Sequence, residues 1–183
     1  SYVHVAADSV ATQQWGTIEA PFSSLQLAAR IAKWNGDAVR VAVGVYTSAQ
    51  DEAVLDLEGS DWDVVIEGGY SPDFSVRNPK RWPTVIDGQR TRRGLRLDKG
   101  AKLDISGVTI TRGFGQWGGG VHVRMSQFSA TDCVISDNAS TNGVDSYGGG
   151  VYCTLGSTVR VASSLIVNNT AADGGAFQAV SSG

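Results

Sequence analysis

Methionine occurs once in the 183 residues, proline four times, and cysteine and histidine twice each. The histidines, His4 and His122, form no His-Glu-x-x-His pair, and Cys133 and Cys153 lie outside any Cys-x-x-Cys. That argues against a zinc site and leaves both histidines as structural strand or rim residues. No apolar run approaches the roughly 18 residues of a membrane-spanning helix, so no membrane insertion is expected. Basic tracts are missing too: the densest stretch, "RTRRGLRL" from Arg90 to Leu97, has the spacing of a solvated strand edge. With a net charge of −3, the chain is a poor partner for nucleic acid.

Glycine, by contrast, is abundant, with 23 residues in a chain otherwise ordinary for one folded domain at 42% hydrophobic and 18% charged. Many of these glycines sit in a recurring motif. "GGGVHV" (118–123), "GGGVYC" (148–153) and "GGAF" (174–177) are three copies of a glycine cluster running into a strand. No Gly-x-x-x-x-Gly-Lys-Ser/Thr follows, so the glycines are architectural rather than a phosphate cradle.

Other short strands recur at about 20–30 residues, the spacing of a solenoid. Aligned on "VAVGVY", "VIEGGY", "TVIDG", "VTITRG", "CVISDN" and "LIVNN", they give a reference column of Val43, Ile66, Ile86, Ile110, Ile135 and Ile166. Period-2 alternation turns that column inward. A second inward column stands two residues earlier: Val41, Val64, Thr84, Val108, Cys133 and Ser164. Two further strand series are out of phase: "VLDL" and "GLRL" with the glycine motifs, and "KLDI", "QFSA" and "TVRV". Two or three short strands per turn, returning in one direction, describe a parallel β-helix whose coils bury their apolar faces only by stacking. The glycine clusters then mark corners, with Asn138 and Asn169 at equivalent corners where asparagine tolerates the left-handed conformation and can stack. Cys133 and Cys153 fall in columns of different strands, which predicts two buried free thiols.

Residues 1–37 read as a starting strand and a cap. "SSLQLAARIAKWNGD" places Leu25, Leu27, Ala28, Ile31 and Trp34 at helical spacing, with Ser23 or Ser24 as N-cap and Gly36 as stop. Such a helix would cover the open backbone at one end of the coil stack. Residues 38–183 supply about six coils, with the C-terminal end left uncapped.

The opening residues Tyr2, Val3, Gly16, Thr17, Pro21, Phe22, Gly36, Asp37, Val39, Val41, Gly44 and Tyr46 follow a "YV … GT … PF … helix … GD-x-V-x-V-x-x-G-x-Y" pattern. In this the chain resembles pectate-lyase-like right-handed β-helix proteins of bacterial surfaces. "IEGGYSPDFSVRNPKRWPTVIDG" is similar to an early coil of that group, and "ISDN…GGGV" and "IVNN…GGA" resemble repeats of polymorphic outer-membrane autotransporter adhesins. The resemblance spans nearly the whole chain. It implies an all-β, right-handed, single-stranded parallel β-helix with an N-terminal capping helix, in one domain over 1–183. It also implies an exported, extracellular or cell-surface setting, as the N-terminal portion of a longer protein.

The residues favour a non-catalytic module for adhesion, assembly or binding, with a polysaccharide-active enzyme or carbohydrate-binding module as the alternative. The loops "GFGQWGG" and "ASTNGVDSYGG" precede glycine corners one coil apart. They offer Phe114, Trp117 and Tyr147 as flat apolar faces and Asn142 and Asp145 as polar rim; folding back of these aromatics over the coil edge is the competing reading. Glu67 and Asp87 are expected to stack on adjacent coils beside Arg112, a weak pair of metal candidates; no cofactor is expected. The column between the two inward ones (Ala42, Val65, Val85, Thr109, Val134 and Leu165) points outward yet is almost wholly apolar. Coverage by the "SPDFSVRNPKRW" excursion is expected near Val65 and Val85. A protein partner or second copy is expected at Val134 and Leu165, and another contact at the uncapped end around Ala176 and Phe177.

Overall fold

The computed structural model describes residues 1–49, 52–141 and 145–180. The chain opens with β1 (Tyr2–Val5) and α1 (Leu25–Asn35). A first round then runs through β2 (Ala38–Ala42), β3 (Gly44–Tyr46) and β4 (Ala53–Glu58). The second holds β5 (Asp63–Tyr70), β6 (Thr84–Asp87) and β7 (Arg93–Asp98). The third holds β8 (Lys102–Ser106), β9 (Val108–Thr111), the short β10 (Phe114–Gly115) and β11 (Val121–Arg124). The fourth repeats it with β12 (Gln127–Thr131), β13 (Val134–Ser136), β14 (Ala139–Ser140) and β15 (Val151–Thr154). The fifth comprises β16 (Thr158–Ala162), β17 (Leu165–Val167) and β18 (Phe177–Val180). The described residues thus make five rounds rather than about six.

Like strands of successive rounds pair in parallel. A first sheet has the order β1-β2-β5-β8-β12-β16, a second β3-β6-β9-β13-β17 and a third β4-β7-β11-β15-β18, with β10 and β14 pairing beside them. The fold is all-β, parallel, with one helix among the described residues. Apolar side chains point between the sheets in register. Ile86, Ile110 and Ile135 stack directly in the second sheet, each fully buried. Val39, Ile66, Ile105 and Ala130 do so in the first, and Leu57, Leu97, Val123 and Cys153 in the third.

This register corrects the sequence alignment. Ile66 belongs to the first sheet beside Ile105, not above Ile86, whose upper neighbour is Tyr46. Val41 and Val64 likewise lie on the first sheet, whereas Thr84 and Val108 lie on the second. Both kinds of strand end in an inward isoleucine, a polar residue and a glycine, so composition does not separate them. The apolar outward column changes accordingly: it is Val45, Val85, Thr109, Val134 and Leu165 on the second sheet. Val65 is exposed on the first sheet, uncovered by the excursion, and Ala42 is buried in a small separate cluster with Ala6, Tyr70 and Phe74.

Each corner reuses one backbone device. Lys99, Met125 and Leu155 have positive φ between the third and first sheets; Gly107, Asp132 and Ser163 have it between the first and second; Arg112, Asp137 and Asn168 have it after the second. The left-handed residue is therefore the one before Asn138 or Asn169, not the asparagine itself. The asparagines act through their side chains. Asn138 accepts from Gly113 N at 2.7 Å and donates to Ile110 O and Asn169 Oδ1, both at 3.0 Å. Asn169 donates to Ile135 O at 2.9 Å. The glycine motifs meet a steric demand: a Cβ on Gly119 would sit 2.2 Å from Ala139 O of the next round.

Helix α1 closes the first end. Ser24 caps it, accepting from Leu27 N, and Gly36 ends it at φ 69°. Its buried face is Leu25, Ala28, Ala29 and Ala32, while Leu27 and Trp34 are exposed, contrary to the sequence pattern. Gln26 exchanges hydrogen bonds of 2.8 and 2.7 Å with the backbone of Asp56, satisfying the edge of β4. The fifth round has no such cover among the described residues: Phe177, in line with buried Val151, is 40% exposed, and Ala176 is exposed. Cys133 and Cys153 are buried free thiols, as expected.

Because the rounds above and below hold their backbones fixed, Ile135→Ala should leave an unfilled cavity and lower stability by about 2–5 kcal/mol. Ile166→Ala in the fifth round, only partly buried, should cost less. Urea denaturation of both variants checks the order.

Candidate ligand-binding face

Alternation puts every second residue of the third sheet outside. One outward column reads Asp56, Arg96, His122, Tyr152 and Gln178, and the next reads Glu58, Asp98, Arg124, Thr154 and Val180. The first two rounds make a charge network. Arg96 Nη1 reaches Asp56 Oδ1 at 2.8 Å and Glu58 Oε2 at 3.2 Å, and its Nη2 reaches Asp98 Oδ2 at 3.3 Å. Arg124 adds a 3.4 Å contact to the same Asp98 oxygen, and Lys99 closes on Glu58. Burial pushes the Asp56 carboxyl upward against the pull of Arg96, while Lys99 and Arg96 hold Glu58 below its ordinary value. The charges are satisfied internally.

The third and fourth rounds carry aromatic rings instead. Tyr152 lies 5.6 Å from His122, 6.5 Å from Trp117 and 6.2 Å from Tyr147, with 25° between ring planes in the last two pairs. The loops that carry Trp117 and Tyr147 are locked together by the β10–β14 pair and a Trp117–Tyr147 bridge. Trp117 Nε1 donates to Asp145 O at 3.2 Å, and Arg93 Nε to Trp117 O at 3.0 Å. Gly118 and Gly148 turn both loops into the strands with φ of 64° and 56°. Trp117 remains 39% exposed, so the cluster covers the sheet edge and still presents a ring face.

His122 is buried beneath this cluster, and its Nδ1 has no hydrogen-bond partner. Burial and then the nearby Arg93 and Arg96 guanidinium groups lower its pKa to about 4, which keeps the ring neutral.

The sequence-derived candidates fare unevenly. Trp117 and Tyr147 come together as expected. Phe114 is 37% exposed on the same loop but makes no ring contact with the cluster, and Asp145 contributes its carbonyl rather than its carboxylate. Asn142 lies outside the described residues. Glu67 and Asp87 are not neighbours: Glu67, on the first sheet, accepts from Tyr70 Oη and lies 3.7 Å from Arg40. Asp87, on the second, is buried and paired with Arg112. Arg112 and Gln89 N hold the Asp87 carboxyl low although burial, the largest influence, works the other way. No group of three or more potential metal ligands occurs among the described residues. Tyr152, His122 and Arg96 were missed, although the repeated "GGGVHV" and "GGGVYC" place His122 and Tyr152 at the outward position one residue past an inward valine.

No family model, curated protein or solved structure matches the chain.

Stability should carry the signature of His122. Folded His122 takes up its proton only near pH 4, the unfolded residue near 6.5, so between those values the unfolded chain holds more protons and acid favours unfolding. Wild type should therefore lose up to about 3 kcal/mol of stability from this residue as pH falls through that window. His4, whose pKa burial also lowers, acts in the same direction. Urea midpoints measured from pH 7 to 4 should fall less steeply for His122→Gln.

Proposed function

We propose that the protein is a right-handed parallel β-helix acting as a non-catalytic recognition module at a cell surface or in the extracellular space, and that it binds neutral saccharides on the outer face of the third sheet. Support for the β-helix comes from the rotation of strands through three parallel sheets, with left-handed residues recurring at equivalent corners of successive rounds. Its hand follows from the right-handedness of parallel crossovers. The surface setting follows from the resemblance in the opening and repeat motifs.

The observation that carries the binding reading is the cluster of Trp117, Tyr147 and Tyr152 on the face where His122 and Arg96 also point. Flat rings pack on the C–H face of a pyranose, and surrounding donors and acceptors take its hydroxyls. Because Arg96 and Arg124 already face carboxylates, the ligand need bring no charge. Catalysis is the weaker reading: His122 is buried under the rings, and the arginines are engaged.

Titration calorimetry against a panel of neutral oligosaccharides tests this directly. A binder from the panel should lose about tenfold or more in affinity with Trp117→Ala and again with Tyr147→Ala, while Trp34→Ala, an exposed ring on the cap helix, leaves it unchanged. Absence of binding across the panel, or equal loss with all three variants, contradicts the reading.

A further inference from the structure

Two residues before the inward column Leu55, Leu95, Val121, Val151 and Phe177, the third sheet repeats one position: Ala53, Arg93, Gly119, Gly149 and Gly175. Four of the five are alanine or glycine. For Gly119 and Gly149 the reason is steric, since a Cβ would come 2.2 Å from Ala139 O and Thr170 O of the next round. Arg93 is the exception. Its side chain is only 15% exposed, and its carboxylate contact is Glu52, 3.8 Å away and itself mostly in solvent. Burial lowers the guanidinium's pKa against the pull of Glu52. A cation held in such a place costs free energy, so what it touches matters.

Gly115 makes the room for it. A Cβ there would come 2.9 Å from Arg93 Nε and 3.0 Å from its Cγ and Cζ. Gly115 has no left-handed φ, so glycine supplies space here and not backbone freedom. Arg93 Nε donates to Trp117 O at 3.0 Å. The equivalent carbonyls of later rounds, Tyr147 O and Asp173 O, accept from Gly118 N and Gly148 N of the preceding round. The second round has no such glycine cluster, and among the described residues no backbone donor reaches Trp117 O. Arg93 supplies the missing donor, at a residue whose ring remains partly exposed on the cluster.

We propose that Arg93 is a positioning residue of the candidate ligand-binding face: admitted by Gly115, it fixes the Trp117 backbone and so sets the direction of the ring. The role rests on the reading of that face as a saccharide site. With its carbonyl held by Arg93 and its indole Nε1 held by Asp145 O, Trp117 is pinned at both ends. Its ring is then oriented before a sugar arrives.

The indole N–H of Trp117 reports this role without any ligand. Its exchange with water is followed by nuclear magnetic resonance on the whole chain and assigned with Trp117→Phe. In wild type it should be slower than that of exposed Trp34. Arg93→Met keeps the length and removes the donor; it should speed Trp117 exchange about tenfold and leave buried Trp62 unchanged. Arg93→Gln puts an amide N–H where Nε stands and should restore protection. Gly115→Ala, with Arg93 intact, should match Arg93→Met. In titration calorimetry, the panel oligosaccharide that wild type binds most tightly should lose about tenfold in affinity with Arg93→Met and not with Arg93→Gln. Wild-type exchange at Trp117 as fast as at Trp34 overturns the proposal. So does unaltered exchange in Arg93→Met, a glutamine variant no better than the methionine one, or a rise shared by Trp62, which marks general loss of stability. Absence of saccharide binding, by contrast, contradicts the reading of the face and leaves exchange to decide the positioning role.

Discussion

Every feature of this protein depends on each round leaving each sheet at the same place. The apolar side chains point between the three sheets, and the paired strands on either side complete their burial. Left-handed residues recurring at equivalent corners keep the rounds superposable, and the parallel hydrogen-bond ladders go with that superposition. The residues that take this strained conformation are chemically diverse: Lys99, Met125 and Leu155 share one corner, Asp132 and Ser163 another. The ladders on either side fix the turn, so the side chain at the corner is free to vary.

The same superposition explains why the outward columns differ from sheet to sheet. A position repeated along the stack becomes a continuous stripe. On the third sheet the stripe passes from paired charges in the second round to aromatic rings in the fourth, and the glycine motifs bring the loops of Trp117 and Tyr147 onto its edge. On the second sheet the stripe is apolar. Two surfaces of distinct chemistry thus arise from one repeating backbone.

Much of this was legible in the sequence, and the reasons for the rest are specific. The cap helix with its start at Ser23 or Ser24 and its stop at Gly36, the existence of three strand series, the inward isoleucines at 86, 110 and 135 and the separation of the two thiols followed from periodicity and turn chemistry. The placement of Ile66 did not, because first-sheet and second-sheet strands end in the same residue types. The pairing of Glu67 with Asp87 failed for that same reason, once they proved to lie on different sheets. Asn138 and Asn169 were rightly read as a stacked pair but wrongly given the left-handed turn, which Asp137 and Asn168 make. Of the candidate face, the loop aromatics were visible while Tyr152 and His122 were not, since a lone aromatic or histidine in a strand reads as filler until its outward neighbours are known.

The register of the stacked rounds is the claim from which both surfaces derive. Methyl–methyl nuclear Overhauser contacts in isoleucine-labelled protein measure it most directly. The account predicts a connected series Ile86–Ile110–Ile135–Ile166 and a separate Ile66–Ile105 contact. A well-dispersed spectrum of folded protein that lacks the Ile86–Ile110 and Ile110–Ile135 cross-peaks would contradict it.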